Sequence, residues 1–454
     1  MYGVIIEKGP VNWQVLQQSN GYASAHLEGR ICVEEDVLSQ NAAVVVRAVD
    51  EKNGSRITPP VFAKIADGKW SADLKMPTGG PYKIETFLRF NDCAEKRGDR
   101  RFHIGVGDNY VITGQSNAVG VGKDSADDPS DENVRMYRLG GSWDIAAHPL
   151  HDTTDTKYPE FAERVAAGHS PWIAFAKVLS RKLGYPIGLI PATKGGIPLS
   201  FWDRREDGRF FSHMLNVLND CGSGVKGIIW YHGCNDTYDD TLRKTYYERF
   251  KYVCKDFRKE LGGLPIITVQ LNKCTCTKGR DLDSERKHFN ELREAQRKAA
   301  HSIEDLYIVP SIDLPVCDGI HNSCMANIVI GQRAANTALA HIYGKEVVCD
   351  APDIIKAVKT APKKVELRFK NVYTCLFSDY NPTELLPFSL TDENGRQLPS
   401  DYSIKGACVI LEFEREIGKN AVVSCDGPCE SGLVPYDMFS YLPILMFDDL
   451  KVEY

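Results

Sequence analysis

The stretch "VITGQSNAVG", residues 111–120, runs from an apolar strand-like segment into a turn that holds Ser116 between Gln115 and Asn117, with Gly114 and Gly120 outside. Gly, Ser and Asn are ordinary loop residues, because they tolerate unusual backbone angles or bond their own backbone. The segment gains weight from being the first of a series. Downstream, "YPIGLIPA", "GIIWYHG", "LPIITVQL" and "LYIVPSID" are further apolar runs of strand length, with long amphipathic stretches alternating between them. Five β/α units are implied. Continuous apolar strands with helices between them predict an α/β fold, a parallel sheet covered on both faces. One helix is explicit in "SPWIAFAKVLSRKLG": Ser170 is its N-cap and Pro171 its first residue, Trp172, Phe175, Ala176, Leu179 and Leu183 form one apolar face, and Gly184 ends it.

On either side the period changes. Residues 1–105 read as short alternating runs such as "AVVVRAVD", "KWSADLKM" and "YKIETFLRF", separated by the turn chemistries "EKNGS" and "PTGGP". From about 348 the same texture returns in "KKVELRFKNV", "CVILEFER" and "NAVVSC", with "DENGR" as a hairpin turn. The expected division is an N-terminal β-rich domain at 1–105, the α/β domain at 106–345 and a C-terminal β-rich domain at 346–454.

Composition narrows the partners. With 61 acidic and 55 basic side chains the net charge is −6, which supplies no basic footprint for a phosphate backbone, so no nucleic acid is expected. No apolar run approaches the ~18 residues of a spanning helix, so no membrane is expected either. The opening "MYGVIIEKGPVNWQ" lacks the pattern of a secretory signal, and 14 cysteines scattered through a chain this long read as reduced thiols. A cytoplasmic location is the expectation. "CTC" at 274–276, "CDGIHNSC" at 317–324 and "HPLH" at 148–151 raise zinc, but the first two lack the paired C-x2–4-C spacing of a structural zinc site and Pro149 between His148 and His151 argues for a loop over a metal-binding helix face, so no metal or cofactor is expected. Oligomeric state is not legible from the sequence.

In open parallel sheets ligands bind beyond the carboxyl ends of the strands. Four clusters fall there: Gly114-Gln115-Ser116-Asn117, Lys194-Gly195-Gly196, His232-Gly233-Cys234-Asn235-Asp236, and "LPVCDGIHNS" with Asp318 and His321. Any one of them reads as a polar loop. Together they supply the parts of one reaction. A nucleophilic serine needs a base within hydrogen-bond reach and a third group to orient that base, and His321 with Asp318 would serve Ser116. A tetrahedral intermediate needs donors aimed at its oxyanion, for which the N–H of Ser116, the N–H of Gly195 and the side-chain amide of Asn235 are candidates. Asn235 could equally cap the following helix.

"GQSN", the glycine at 195, "GCND" and "DGIH" stand in the order of the four blocks of SGNH hydrolases, which this chain resembles over roughly 105–345. Within that superfamily "GQSN", "KGGIPLSFW" and "IIWYHGCND" resemble the sialate O-acetylesterase family and its relatives among acetylxylan esterases; "WQVLQ" and "PYDMFSYLPILMFDD" extend the likeness loosely into both flanks. The resemblance implies a flavodoxin-like three-layer α/β/α core flanked by β-rich regions, and a serine mechanism without metal. It implies acetyl groups on sugar hydroxyls as substrate, O-acetylated sialic acid first, with acetylxylan or another plant glycan as the alternative. Ser116 would be nucleophile, His321 base and Asp318 its orienting acid. Such esterases more often read Gln-Gly-Glu where this chain has His232-Gly233-Cys234. Gly-x-Asn-Asp is intact at 233–236, so Asn235 is the expected oxyanion donor and His232 its neighbour. Gln115, His232, Trp202 and Arg204 are expected to face the substrate, Trp202 stacking on a sugar ring and Arg204 or Arg205 pairing with a carboxylate. A non-catalytic carbohydrate-binding protein is the reading from another class, and the complete set of Ser, Gly, Asn, Asp and His argues against it.

Overall fold

Residues 108–114 form the middle of a parallel sheet, and Tyr110, Val111 and Ile112 are wholly buried because both faces are covered. The computed structural model describes residues 3–33, 42–90, 94–163, 166–275, 281–379, 386–426 and 434–454. The strands of the central sheet are β1 (Ala94–Gly114), β2 (Val134–Arg138), β3 (Ser142–Ile145), β4 (Ile187–Pro191), β5 (Gly227–Tyr231), β6 (Ile266–Val269) and β7 (Leu306–Val309). Their order is β3-β2-β4-β1-β5-β6-β7, and only β3 pairs antiparallel along this path. Taken by chain order, the five expected strands run 2-1-3-4-5, the doubly wound order of a flavodoxin-like sheet, whose switch point lies between β1 and β5.

The helices are α1 (Pro171–Leu183), α2 (Arg209–Asp220), α3 (Asp240–Leu261), α4 (Leu282–Ser302) and α5 (Cys324–His341). Right-handed crossovers put α1 and α5 on one face and α2, α3 and α4 on the other. The contacts agree, since α1 packs on α5 and α3 on α4. Gly331 permits the first of these: a Cβ there would stand 2.2 Å from the carbonyl oxygen of Pro171. The ends of α1 form as its sequence predicts. The Ser170 hydroxyl accepts from the Trp172 N–H at 3.4 Å, and Gly184 leaves the helix in the left-handed conformation at φ 79°.

β2 escapes the pattern of apolar runs because "VRMYR" carries a buried arginine, and β3, "SWDI", because it is a four-residue edge strand with one buried side chain. Arg135 is 1% exposed and donates to the carbonyls of Glu132, Trp13 and His103, so its charge is satisfied by backbone where an apolar side chain would be expected.

The first half of β1 pairs antiparallel with Gly79–Phe90, while its second half lies between β4 and β5. One strand therefore crosses position 105. A second sheet, Gly3–Lys8, Tyr22–Cys32, Lys64–Ala66 and Lys69–Pro77, closes the N-terminal core around Val4, Leu27, Val44, Trp70, Leu74 and Ile84. An eight-stranded sheet comes after α5 and buries Leu367, Phe388, Val409, Leu411 and Phe447. Its hairpin Ser389–Asp392 to Gly395–Gln397 turns at Glu393-Asn394, where "DENGR" placed it. No helix among the described residues is long and apolar enough to cross a membrane.

Candidate active site

β1 must end on a glycine. At Gly114, φ 127°, a Cβ would stand 2.2 Å from the carbonyl oxygen of Tyr231 on the neighbouring strand. Gln115 then stitches the two strand ends together: its N–H donates to the Tyr231 carbonyl at 3.0 Å and its Oε1 accepts from the Gly233 N–H at 3.1 Å. Ser116 opens a helical turn, Ser116–Val119, whose N-cap Gln115 gives no side-chain bond, so the first amides of the turn are not used by a cap. The Trp172 indole holds the turn from behind, donating to the Ala118 carbonyl at 2.7 Å.

His321 Nε2 lies 2.8 Å from Ser116 Oγ, and its Nδ1 lies 2.7 Å from Asp318 Oδ2. The other oxygen of Asp318 accepts the His321 backbone N–H at 2.9 Å. Partial burial works to raise the Asp318 pKa, but the hydrogen bonds from His321 prevail and hold the carboxyl below the usual carboxylate range. An ionised Asp318 accepts the hydrogen bond from Nδ1–H, which keeps the proton on Nδ1 and leaves the Nε2 lone pair turned to the serine.

The loop carrying His321 is clamped by the residue after the serine. Asn117 Oδ1 accepts the Asn322 N–H at 3.1 Å and its Nδ2 donates to the Ile320 carbonyl at 3.2 Å. Asn272 adds bonds to the Ile320 carbonyl at 2.9 Å and to Asn322 Oδ1 at 2.8 Å. Neither asparagine was assigned a role from sequence, although Asn117 sits inside the quoted motif.

A cavity of about 740 Å³ opens over Ser116 and His321, lined also by Gly195, Asn235, Glu163 and Arg209. This is the range of small-molecule sites. Asn235 lines the cavity and, although it precedes the 3-10 turn Asp236–Tyr238, gives that turn no side-chain capping bond; the cap of α3 is Asp239, which accepts from the Leu242 N–H at 2.9 Å. The Gly195 N–H also reaches the cavity, but it donates to Glu163 Oε1 at 2.7 Å. Burial pushes the Glu163 pKa up, against the opposing pull of the Gly195 amide and of Lys194, whose ammonium is 3.8 Å away.

Three expected substrate contacts are corrected. His232 is wholly buried behind the wall, donating from Nε2 to the Ile197 carbonyl at 3.0 Å, and desolvation pulls its pKa down to about 3, so the ring is neutral. Trp202 is also wholly buried, edge-on to Trp230 at 5.3 Å. Arg204 points away, bonding Glu260 at 2.6 Å and covering Phe211, and Arg205 pairs with Asp203. Phe201, at the end of the 3-10 turn Leu199–Phe201, and Arg209, at the start of α2, take the cavity positions. Gln115 lines the cavity as expected, as does Lys194 of the second strand-end cluster, while Lys123 and Glu160 belong to none of the four clusters. As for zinc, the Cys324 thiol faces the Asp124 carbonyl at 2.7 Å, and among the described residues Cys317, His321 and Cys324 form no ligand cluster; Cys276 of "CTC" lies outside those residues.

Residues 106–340 match the family model described as a carbohydrate esterase, sialic acid-specific acetylesterase. Over 256 residues the chain is 25% identical to a probable carbohydrate esterase of Arabidopsis thaliana, covering 51% of this chain and 90% of that one. The crystal structure of a carbohydrate acetylesterase from Xanthomonas citri shares the fold, flanks included, with a TM-score of 0.65 over 98% of this chain and 99% of that one at 21% identity. The protein is thus a carboxylic ester hydrolase of the carbohydrate acetylesterase kind. The family match spans more than half of the sequence and takes in every strand end that lines the cavity, so the chain belongs to the sialic acid-specific acetylesterase family of carbohydrate esterases.

Proposed function

We propose that this carbohydrate acetylesterase works through Ser116 as nucleophile, His321 as general base and Asp318 as the group that orients it. The observation that carries the proposal is the unbroken line from Ser116 Oγ to His321 Nε2 at 2.8 Å and from His321 Nδ1 to Asp318 at 2.7 Å, opening into the cavity. Ser116 Oγ attacks the acetyl carbonyl while His321 Nε2 takes its proton. The negative charge formed on the carbonyl oxygen is met by the N–H groups of Ser116 and Gly195 and the amide of Asn235. The bond to the sugar oxygen then breaks, and His321 returns the proton to that oxygen. Water repeats the sequence on the acetyl-enzyme and releases acetate.

The Gly195 amide is held by the Glu163 carboxylate, so it must exchange a charged acceptor for the substrate carbonyl. A hydrogen bond to a charged group is worth about 1.5–3 kcal/mol. Glu163→Ala is therefore expected to raise kcat/KM on p-nitrophenyl acetate by roughly tenfold. A fall in activity together with a lower Tm would assign Glu163 to holding its loop.

For the sugar, O-acetylated sialic acid is the substrate proposed. The family description supports it, as does Lys123 on the cavity wall, a cation able to face a sugar carboxylate; Arg209, also on the wall, is already paired with Asp207 at 2.6 Å and would have to share its guanidinium. Glu160 and Glu163 on the same cavity favour a second reading, a neutral glycan such as acetylated xylan, whose hydroxyls can donate to carboxylates. Acetate release from 9-O-acetylated sialic acid and from acetylated xylan separates the two. The sialate is expected to have the higher kcat/KM, and Lys123→Ala to raise its KM without altering turnover of p-nitrophenyl acetate. Preference for xylan would assign the neutral glycan.

A further inference from the structure

Among the described residues two groups bring three ligand atoms of the His, Cys or carboxylate kind within 4.8 Å of one another: Asp128 with His148 and His169, and His341 with Cys349 and Asp350. They differ in where the imidazole protons can go. The Ser170 N–H donates to His148 Nδ1 at 3.1 Å, which leaves the proton on Nε2, given to Asp128 Oδ2 at 3.0 Å. A metal on that Nε2 would drive the proton onto Nδ1 and against the Ser170 N–H. The Lys177 ammonium, 2.6 Å from the other Asp128 oxygen, adds a cation where the metal would sit. This first group is a hydrogen-bond knot.

The second group has no such obstacle. His341 ends α5, and the Tyr307 ring stacked on it at 4.4 Å and 12° fixes its plane. Its Nε2 is 2.8 Å from Asp350 Oδ1 and 3.4 Å from Cys349 Sγ, and Sγ is 3.7 Å from the same carboxylate oxygen. Tetrahedral zinc with ordinary bonds to sulfur, nitrogen and oxygen has ligand-to-ligand edges of about 3.4–3.6 Å. Two edges of the observed triangle fit, and the third is a hydrogen bond that opens by roughly half an ångström when a metal replaces its proton. Among the described residues Nδ1 of His341 makes no hydrogen bond, and the side chain is 28% exposed, so that nitrogen can carry the displaced proton toward water. The arrangement does not suit a nucleophilic cysteine, because thiol and carboxylate share one ring nitrogen and nothing orients the other.

We infer that His341, Cys349 and Asp350 form a zinc site, with solvent as fourth ligand. A thiolate, a carboxylate and a neutral imidazole balance the charge of a divalent ion. The site ties the segment entering the C-terminal sheet, whose first strand begins at Asp353, to the end of α5. The 18 residues of α5 span roughly 27 Å and separate it from the His321 loop, so the metal takes no part in ester hydrolysis.

Cobalt(II), titrated into the full chain after chelator treatment, is the probe. One equivalent is expected to give thiolate-to-cobalt charge-transfer absorption that zinc abolishes. Cys349→Ser should remove the band, His341→Ala should weaken cobalt affinity at least tenfold, and Cys375→Ser should leave both intact. Hydrolysis of p-nitrophenyl acetate reports that each variant is folded. Absence of the band in the wild type, or its persistence in Cys349→Ser, overturns the inference. Should Cys349→Ser prove inactive, Asp350→Asn decides: weakened cobalt binding supports the site and unchanged binding overturns it.

Discussion

Ser116→Ala is expected to abolish acetate release, by a factor on the order of 10⁴ or more, while Tm stays at the wild-type value. The side-chain bond of Ser116 runs to His321, and removing one hydroxyl at the edge of a cavity requires no repacking. His321→Ala should lose a comparable factor, since without a base the hydroxyl keeps its proton. The double variant should be scarcely worse than either single one, because residues that act as a unit are not additive. Retention of activity within tenfold in a folded Ser116→Ala protein would place the nucleophile elsewhere. The same experiment addresses the reading as a carbohydrate-binding protein, which requires no turnover in the wild type.

The sheet was legible because a strand covered on both faces has to be apolar throughout, and five such runs are visible at once. Their polar ends were legible for a topological reason: residues after successive parallel strands must meet at one edge of the sheet. The loops beyond those ends were less readable, because their side chains take directions set by tertiary packing. Phe201 and Trp202 are adjacent, yet Phe201 lines the cavity and Trp202 is buried against Trp230. Nothing in "FWDRRED" distinguishes them. The same holds for the cations: Arg204, Arg205 and Arg209 pair with Glu260, Asp203 and Asp207, and of the three Arg209 lines the cavity. Glu163 was out of reach for a different reason. It lies in no strand end, and its bond to Gly195 spans 32 residues of chain. Helix ends were readable where caps are local, as at Ser170 and Gly184, and β2 was hidden by an arginine whose partners are backbone carbonyls far along the chain.

Under the proposed oxyanion role, Asn235→Ala is expected to lower kcat by about 10²–10³ with little change in KM, because such a donor meets charge that exists only in the transition state. Its alternative role as a helix cap belongs to Asp239, so the substitution should leave Tm near the wild-type value. His232→Ala should behave in the opposite way. The ring is wholly buried, donates to Ile197, and stacks between Trp230 and Tyr246 at 5.1 and 6.1 Å, so its loss opens a cavity in the core. About 2–4 kcal/mol of stability is the expected cost, with kcat of the folded fraction little changed. Its neighbour Asp236 joins the two blocks by accepting the Leu199 N–H at 3.0 and 3.2 Å, so a loosened His232 would first be felt as a lower Tm. Measuring kcat and Tm for both variants on one activated acetyl ester separates chemistry from packing. A large kcat loss in His232→Ala at unchanged Tm, beside a near-normal Asn235→Ala, would require the buried ring to turn from Ile197 to the cavity on substrate binding and would transfer the donor role to it.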